Sequence, residues 1–317
     1  MNDIIGPAKK NKTPTDKNTN NNSLKQVILS RTSEEEIFGY LMKKYYPNQK
    51  LSLDHKIANV LTGNGTTAKS FHIYKNESGR LLFFDEYANI SGDCFDCWKV
   101  AWGYSLQEAI LAIDIHLNLG LKIEDSLPQI SFFNKPIQNI VPEMNYNLFQ
   151  IYDKIKYPVY YSTITQQYRN LLEGAEAKRF KTSQFDYVCF SGTFSSRKND
   201  SLKKHSGFIC IDFDHVQDIK TMKQNLLTDQ DIETEILFIS PGGNGLKWIV
   251  RIDITDGDQS DYFKAIECAV YKKYGYTIDK SGKDLARACF LCHDPEAYIN
   301  PNYLQNHYKD VKQGISR

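Results

Sequence analysis

The sequence lacks any apolar run long enough to span a bilayer, and it lacks an N-terminal apolar segment of the signal-peptide kind. It therefore reads as a soluble, unexported, cytoplasmic chain with no membrane partner. Excess charge is missing too: 39 Lys and Arg against 38 Asp and Glu leave a net charge of +1. With a pI near 7.6 no bulk field draws the protein to a polyanion, so nucleic-acid contact must come from local patches. Seven cysteines, an odd number, fit a reducing compartment better than a disulfide framework. There is no internal repeat, no Gly-x-Ser-x-Gly elbow and no His-Glu-x-x-His pair.

Three partial motifs fall short on chemistry. Gly63-Asn64-Gly65-Thr66-Thr67-Ala68-Lys69-Ser70 has Ala where a P-loop needs its second Gly, and runs into strand-like alternation where the motif needs a helix N-terminus. Cys289-Phe290-Leu291-Cys292-His293 has haem-attachment spacing, but that chemistry belongs to exported proteins, and a buried inert thiol is the better reading of Cys289. The acidic stretch Asp253 to Asp261 has the wrong spacing for a calcium loop and reads as solvated.

What is present is 41% apolar residues in 317, enough for a sizeable core in one or two domains. Residues 1–30, with Asn18-Thr19-Asn20-Asn21-Asn22, read as a disordered tail. A first domain over 31–125 opens with a helix capped by Ser33 and Glu36, followed by a hairpin over Ser70–Phe84 and a second helix from Ser105 to near Gly120. Residues 126–145, broken by Pro128, Pro136 and Pro142, read as a linker. The second domain, 146–317, holds a helix through Ile164 to Leu172, strands at Tyr187–Gly192, Phe208–Phe213, Glu235–Ser240 and Leu246–Ile252, helices over Ile219–Leu227 and Asp261–Tyr274, and a last strand at Arg287–Leu291.

Phe208-Ile209-Cys210-Ile211-Asp212-Phe213-Asp214 is the stretch with the most chemistry. On a strand Asp212 and Asp214 point to one face and Ile211 and Phe213 to the other. Two adjacent carboxylates repel unless a cation neutralises them, and a pair of divalent ions does so in sites of phosphoryl transfer. Alternatively they end a strand in water, or pair with the basic loop upstream that carries Arg197, Lys198, Lys203, Lys204 and His205. Downstream, Ser240-Pro241-Gly242-Gly243-Asn244-Gly245 forms a hairpin tip whose amides can make a phosphate nest, with Lys247 beside it; a plain flexible turn is the alternative. Asp279 and Arg287 can bring a third carboxylate and a guanidinium fork to the same rim.

The ordered set Ser206-Gly207-Phe208-Ile209-Cys210-Ile211-Asp212-Phe213-Asp214, Ser240 to Lys247, then Asp279 followed by Arg287, resembles the archaeo-eukaryotic primase, or primase-polymerase, superfamily over about 145–305. It looks most like the N-terminal domain of VirE-type proteins of mobile elements, with Phe190-Ser191-Gly192-Thr193-Phe194, Arg197, Phe290, His293-Asp294-Pro295 and Asn300-Pro301 adding to the likeness. The resemblance implies an α+β fold, an RRM-like primase-polymerase catalytic core, that joins nucleoside triphosphates on a single-stranded DNA template with two Mg²⁺ or Mn²⁺ ions. By position, Asp212, Asp214 and Asp279 hold metal and are catalytic. Ser240, Lys247 and Arg287 grip the incoming nucleotide, with the Gly243 and Gly245 amides of the nest and Arg197 beside them; Lys198, Lys203, Lys204 and His205 are the candidates to meet nucleic acid, and for this basic loop, Arg197 included, a solvated surface is the equal alternative. Many members have His where Lys247 stands, so a triphosphate role carries over and an acid/base role does not.

Ser70–Tyr74, Phe84-Asp85, Gly92–Asp96 and Ser105–Ala109 resemble the CHC2 zinc-ribbon domain of DnaG-type primases. The four Cys/His ligands in two close pairs are missing, and Cys94 and Cys97 fall where that family has a helix. This part reads as a small, zinc-ribbon-like α+β domain without zinc, retained for template contact. The rival to a nucleotidyltransferase acting in replication of a mobile element or phage is a catalytically inactive nucleic-acid-binding module that recruits a separate helicase. A two-metal nuclease is the third reading.

Overall fold

A computed structural model of the chain describes residues 24–45, 51–58, 69–120 and 127–303. Two compact units divide it, residues 1–121 and 122–317. Both mix helices with antiparallel sheets. No helix of the described residues is long and apolar enough to cross a membrane.

The first unit starts with helix α1 (24–29), which falls inside the 1–30 stretch expected as a disordered tail and corrects that expectation there; residues 1–23 lie outside the described residues. The apolar spacing of Leu24 and Ile28, both buried, places one face of that helix in the core. Helix α2 (Glu34–Tyr45) has the Ser33/Glu36 capping box. Strands β1 (Ile57–Ala58), β2 (Lys69–Lys75), β3 (Leu81–Asp85) and β4 (Ile90–Gly92) form one sheet in that order. Helices α3 (Cys94–Trp102) and α4 (Leu106–Leu117) follow, each opened by a capping box. Cys94 and Cys97 are fully buried in α3, and burial raises both thiols well above the ordinary range. They behave as small apolar side chains. The P-loop-like residues 63–68 lie outside the described residues, and Lys69-Ser70 open β2.

The second unit begins inside the stretch expected as a linker. Strand β5 (Ile130–Phe133), buried at all four positions, pairs with β6 (Met144–Tyr146). Pro128 precedes β5, and Pro136 and Pro142 sit in the connecting loop, so none of the three costs the sheet a hydrogen bond. Three helices follow: α5 (Leu148–Lys156), α6 (Pro158–Arg169), which starts and ends earlier than expected with its Pro in the first turn, and α7 (Ala175–Gln184). Strand β7 (Tyr187–Cys189) joins β5, and β8 (Gly192–Phe194) forms a hairpin with β9 (Leu202–His205).

The centre of this unit is β10 (Phe208–Phe213), α8 (Ile219–Leu227), β11 (Thr234–Ile239), β12 (Leu246–Arg251) and α9 (Gln259–Tyr274). The sheet runs β10-β12-β11, extended by β14 (Tyr298–Ile299), and every pairing is antiparallel. Strand β13 (Cys289–Phe290) pairs with β7. Ile209, Ile211 and Phe213 of β10 and Leu246, Trp248 and Val250 of β12 pack with Met222 and Leu226 of α8 and Phe263, Ile266 and Val270 of α9. The alternation that buries these residues turns Asp212 and Lys247 to the opposite face, where the register sets them side by side.

Candidate metal centre

Asp212 lies near the end of β10 and is 4% exposed, while Asp214, just past the strand, is exposed. Asp279 comes from the segment after α9, brought alongside β10 by its amide, which donates to the Asp212 carbonyl at 2.9 Å. One carboxylate oxygen from each of the three lies within 4.8 Å of the other two. The sequence separation of Asp279 is thus closed by a strand-like hydrogen bond.

Two cations offset part of the cluster's charge. Lys247 forms an ion pair with Asp212 Oδ2, and Arg287 Nη2 lies 2.7 Å from Asp279 Oδ2 and 3.6 Å from Asp212 Oδ2. Asp279 also accepts from the Ser281 amide at 3.0 Å and hydroxyl at 2.6 Å. Burial works against its charge, but Ser281, Arg287 and Lys247 outweigh it and hold the carboxyl below its ordinary value. Lys247 is likewise opposed by burial, yet Asp212 keeps its ammonium charged beyond the usual lysine range.

Asp212 Oδ1 is buried with no hydrogen-bond partner. A buried carboxylate oxygen left unpaired is costly, and a hard cation satisfies it. Three carboxylates, one of them solvent-facing, form an oxygen donor set that could hold a hard metal ion.

Two clefts meet at the carboxylates. One, of about 430 Å³, runs between α6–α7 and the 240–244 loop and is lined by Arg169, Lys178, Lys181, Ser240, Gly242 and Asn244. The other, of about 520 Å³, is lined by Arg197, Lys198, Asn199, Asp284 and Arg287 together with Asp212. Each has the volume of a small-molecule site. Arg197 stacks over Tyr187 with 5.2 Å from guanidinium to ring centre and donates to the Ile137 carbonyl at 3.2 Å.

The glycine-rich tip is a tied turn. The Ser240 amide donates to Gly245 O at 2.8 Å and the Gly243 amide to Ser240 O at 2.9 Å, so the Gly243 amide expected in a phosphate nest is already used. Gly243 sits at φ +80° against Arg169, whose guanidinium donates to the Pro241 and Ser240 carbonyls at 3.2 and 3.3 Å. At Gly245 a Cβ would collide with the Phe213 carbonyl, so Gly there allows the loop to close over the end of β10.

Three expected nucleic-acid contacts lie elsewhere. Lys203 and Lys204 are exposed on β9 and line neither cleft. His205 accepts from the Gly207 amide at 2.9 Å through Nδ1, and its Nε2 lies 3.2 Å from Gln259 Oε1. Both of its ring nitrogens are thus engaged within the fold.

Sequence reading missed Arg169, Lys178 and Lys181. Lys178 and Lys181 are three apart and share a helix face, but that spacing carries meaning only once α7 is known to be a helix.

No curated protein and no solved structure matches the chain. Residues 179–299 match the family model described as BT4734-like, N-terminal domain, a stretch that takes in all three carboxylates, the glycine-rich turn, Lys181 and Arg287.

Proposed function

We propose that the second unit is a metal-dependent nucleotidyltransferase of the primase-polymerase kind, joining nucleoside triphosphates on a single-stranded DNA template. The observation that carries this reading is the convergence of Asp212, Asp214 and Asp279 within 4.8 Å, with a buried Asp212 oxygen still unpaired. The βαββα order with sheet order β10-β12-β11 is the arrangement expected of an RRM-like core, and the matched family is associated in general with primase-like and VirE proteins.

Bound by the three carboxylates, divalent ions supply activation of a hydroxyl nucleophile and neutralisation of leaving pyrophosphate. The chain's own groups do the rest. Buried Asp212 is fixed by its strand, and Asp279 is oriented by Ser281 and Arg287. Exposed Asp214 lines both clefts. Arg287 and Lys247, already beside the carboxylates, oppose negative charge on a triphosphate.

Asp214→Asn is the cleaner test. Asp212→Asn leaves the Lys247 ammonium buried beside a neutral group, which by itself is destabilising. Labelled nucleotide incorporation on single-stranded DNA with Mn²⁺ should fall by about 100-fold or more in Asp214→Asn, roughly what loss of one metal-holding or charge-stabilising group costs. The melting temperature without metal should be unchanged. Incorporation equal to wild type defeats the reading.

One observation favours a second reading, a silent nucleic-acid-binding module: the Lys247 ammonium already sits on Asp212, as in a site that has replaced a metal with a side-chain cation. A thermal shift with Mn²⁺ and a nucleoside triphosphate separates the two, since a silent module gains no stability from either.

A further inference from the structure

The two clefts have four residues in common: Lys181, Asp214, Lys247 and Phe290. Any molecule that spans both passes over these four. Phe290 offers an apolar ring, Asp214 only negative charge, and Lys247 already holds Asp212. Lys181 is the remaining cation, and it has no ion pair among the described residues.

Its position is set from below. The ammonium lies 5.7 Å from the centre of the Phe290 ring, so the side chain rests on β13 and is half-buried. Burial, then Lys247, disfavours its charge, while Asp214 and Asp212 support it, with a net shift below the ordinary lysine value. A partly desolvated ammonium that makes no direct ion pair is stabilised by an anion bound beside it. From this point the positive walls run outward in both directions. Lys178 and Arg169 continue along the α6–α7 cleft, and Arg287 and Lys198 along the other.

We infer, resting on the nucleotidyltransferase reading above, that Lys181 is a catalytic residue whose ammonium contacts the phosphoryl group under attack and joins the positive walls of the two clefts at the carboxylates. This puts a reacting contact on α7, outside the β10–α9 unit that supplies the acids.

The test separates nucleotide binding, turnover and metal binding in the full-length protein. Lys181→Ala, Lys181→Arg and wild type are titrated with a nucleoside triphosphate analogue that has a non-hydrolysable α–β linkage, with Mn²⁺ present. Steady-state incorporation is measured in parallel, and Mn²⁺ binding alone by electron paramagnetic resonance. Lys181→Ala is expected to lose about 10- to 100-fold in analogue affinity or in kcat/KM, the value of one charge-assisted hydrogen bond. Lys181→Arg should recover most of it, and Mn²⁺ affinity should not fall in either variant. Analogue affinity and kcat/KM both equal to wild type in Lys181→Ala overturn the inference and leave the transferase reading standing. An equal loss of Mn²⁺ binding, or no recovery by Arg, assigns Lys181 to packing and also overturns it. Wild type that neither binds nor incorporates nucleotide defeats both.

Discussion

Both ring nitrogens of His205 are engaged in the folded protein, and that makes one residue a pH probe of the β9–α9 junction. Because Nδ1 accepts from the Gly207 amide, the proton sits on Nε2 and is donated to Gln259. A second proton would face the Gly207 N–H. Burial lowers the pKa of the ring, and the Gln259 hydrogen bond only partly offsets this. The folded ring therefore protonates less readily than the unfolded one, whose value is about 6.5. Its contribution to stability is whole above that pH and is lost as the pH falls through the folded value. Urea midpoints measured at about pH 7.5 and pH 5.5 should show a smaller drop for His205→Asn than for wild type, because Asn can still accept from Gly207 but does not titrate. An identical drop means that other groups carry the acid sensitivity.

At the scale of elements, the closing contact is the one between the glycine-rich turn and the end of β10. Gly245→Ala drives a methyl into the Phe213 carbonyl and against Ser240 Oγ, and the backbone on either side must move. The expected cost is about 1–3 kcal/mol, as for overpacking at other well-packed positions. Since Phe213 lies between Asp212 and Asp214, incorporation should fall by more than the stability loss explains, measured at a temperature where the variant is fully folded. Elements whose period and burial agree are the ones legible in sequence. In β10, β12, α8 and α9 the apolar positions that pattern predicts are the positions packed in the core. Helix α7 escaped because Ala177 is its only buried residue, so no apolar stripe marks it. Strand β5 escaped because prolines that bracket a strand look like prolines that interrupt one. Alternation alone puts Asp212 and Asp214 on one face. The arrival of Asp279 depends on a tertiary hydrogen bond to the Asp212 carbonyl, and local pattern has no access to that; the likeness to a known order of motifs supplied it.

At the scale of the whole molecule, charge balance limits how nucleic acid would be held on the proposed reading. A net charge of +1 gives no general attraction, and at physiological salt exposed charges act over about 8 Å. Cations count only where phosphates come to them. Lys198 lines the cleft that also holds Arg197 and Arg287, whereas Lys203 and Lys204 stand on β9 outside both clefts. These three lysines lie within seven residues of sequence and would be indistinguishable as a basic loop, yet the hairpin sends them to different surroundings. The dependence of single-stranded DNA affinity on salt tells them apart. For single strands each phosphate contact contributes about 0.7 to the slope of log K against log salt. Lys198→Gln should make that slope shallower by about this amount and weaken binding alike for all sequences. The double substitution Lys203→Gln, Lys204→Gln should leave the slope as it is. Fluorescence anisotropy of a labelled oligonucleotide over a salt series reads both, and a shallower slope only in the double variant moves the strand path from the carboxylate cleft to the β8–β9 hairpin.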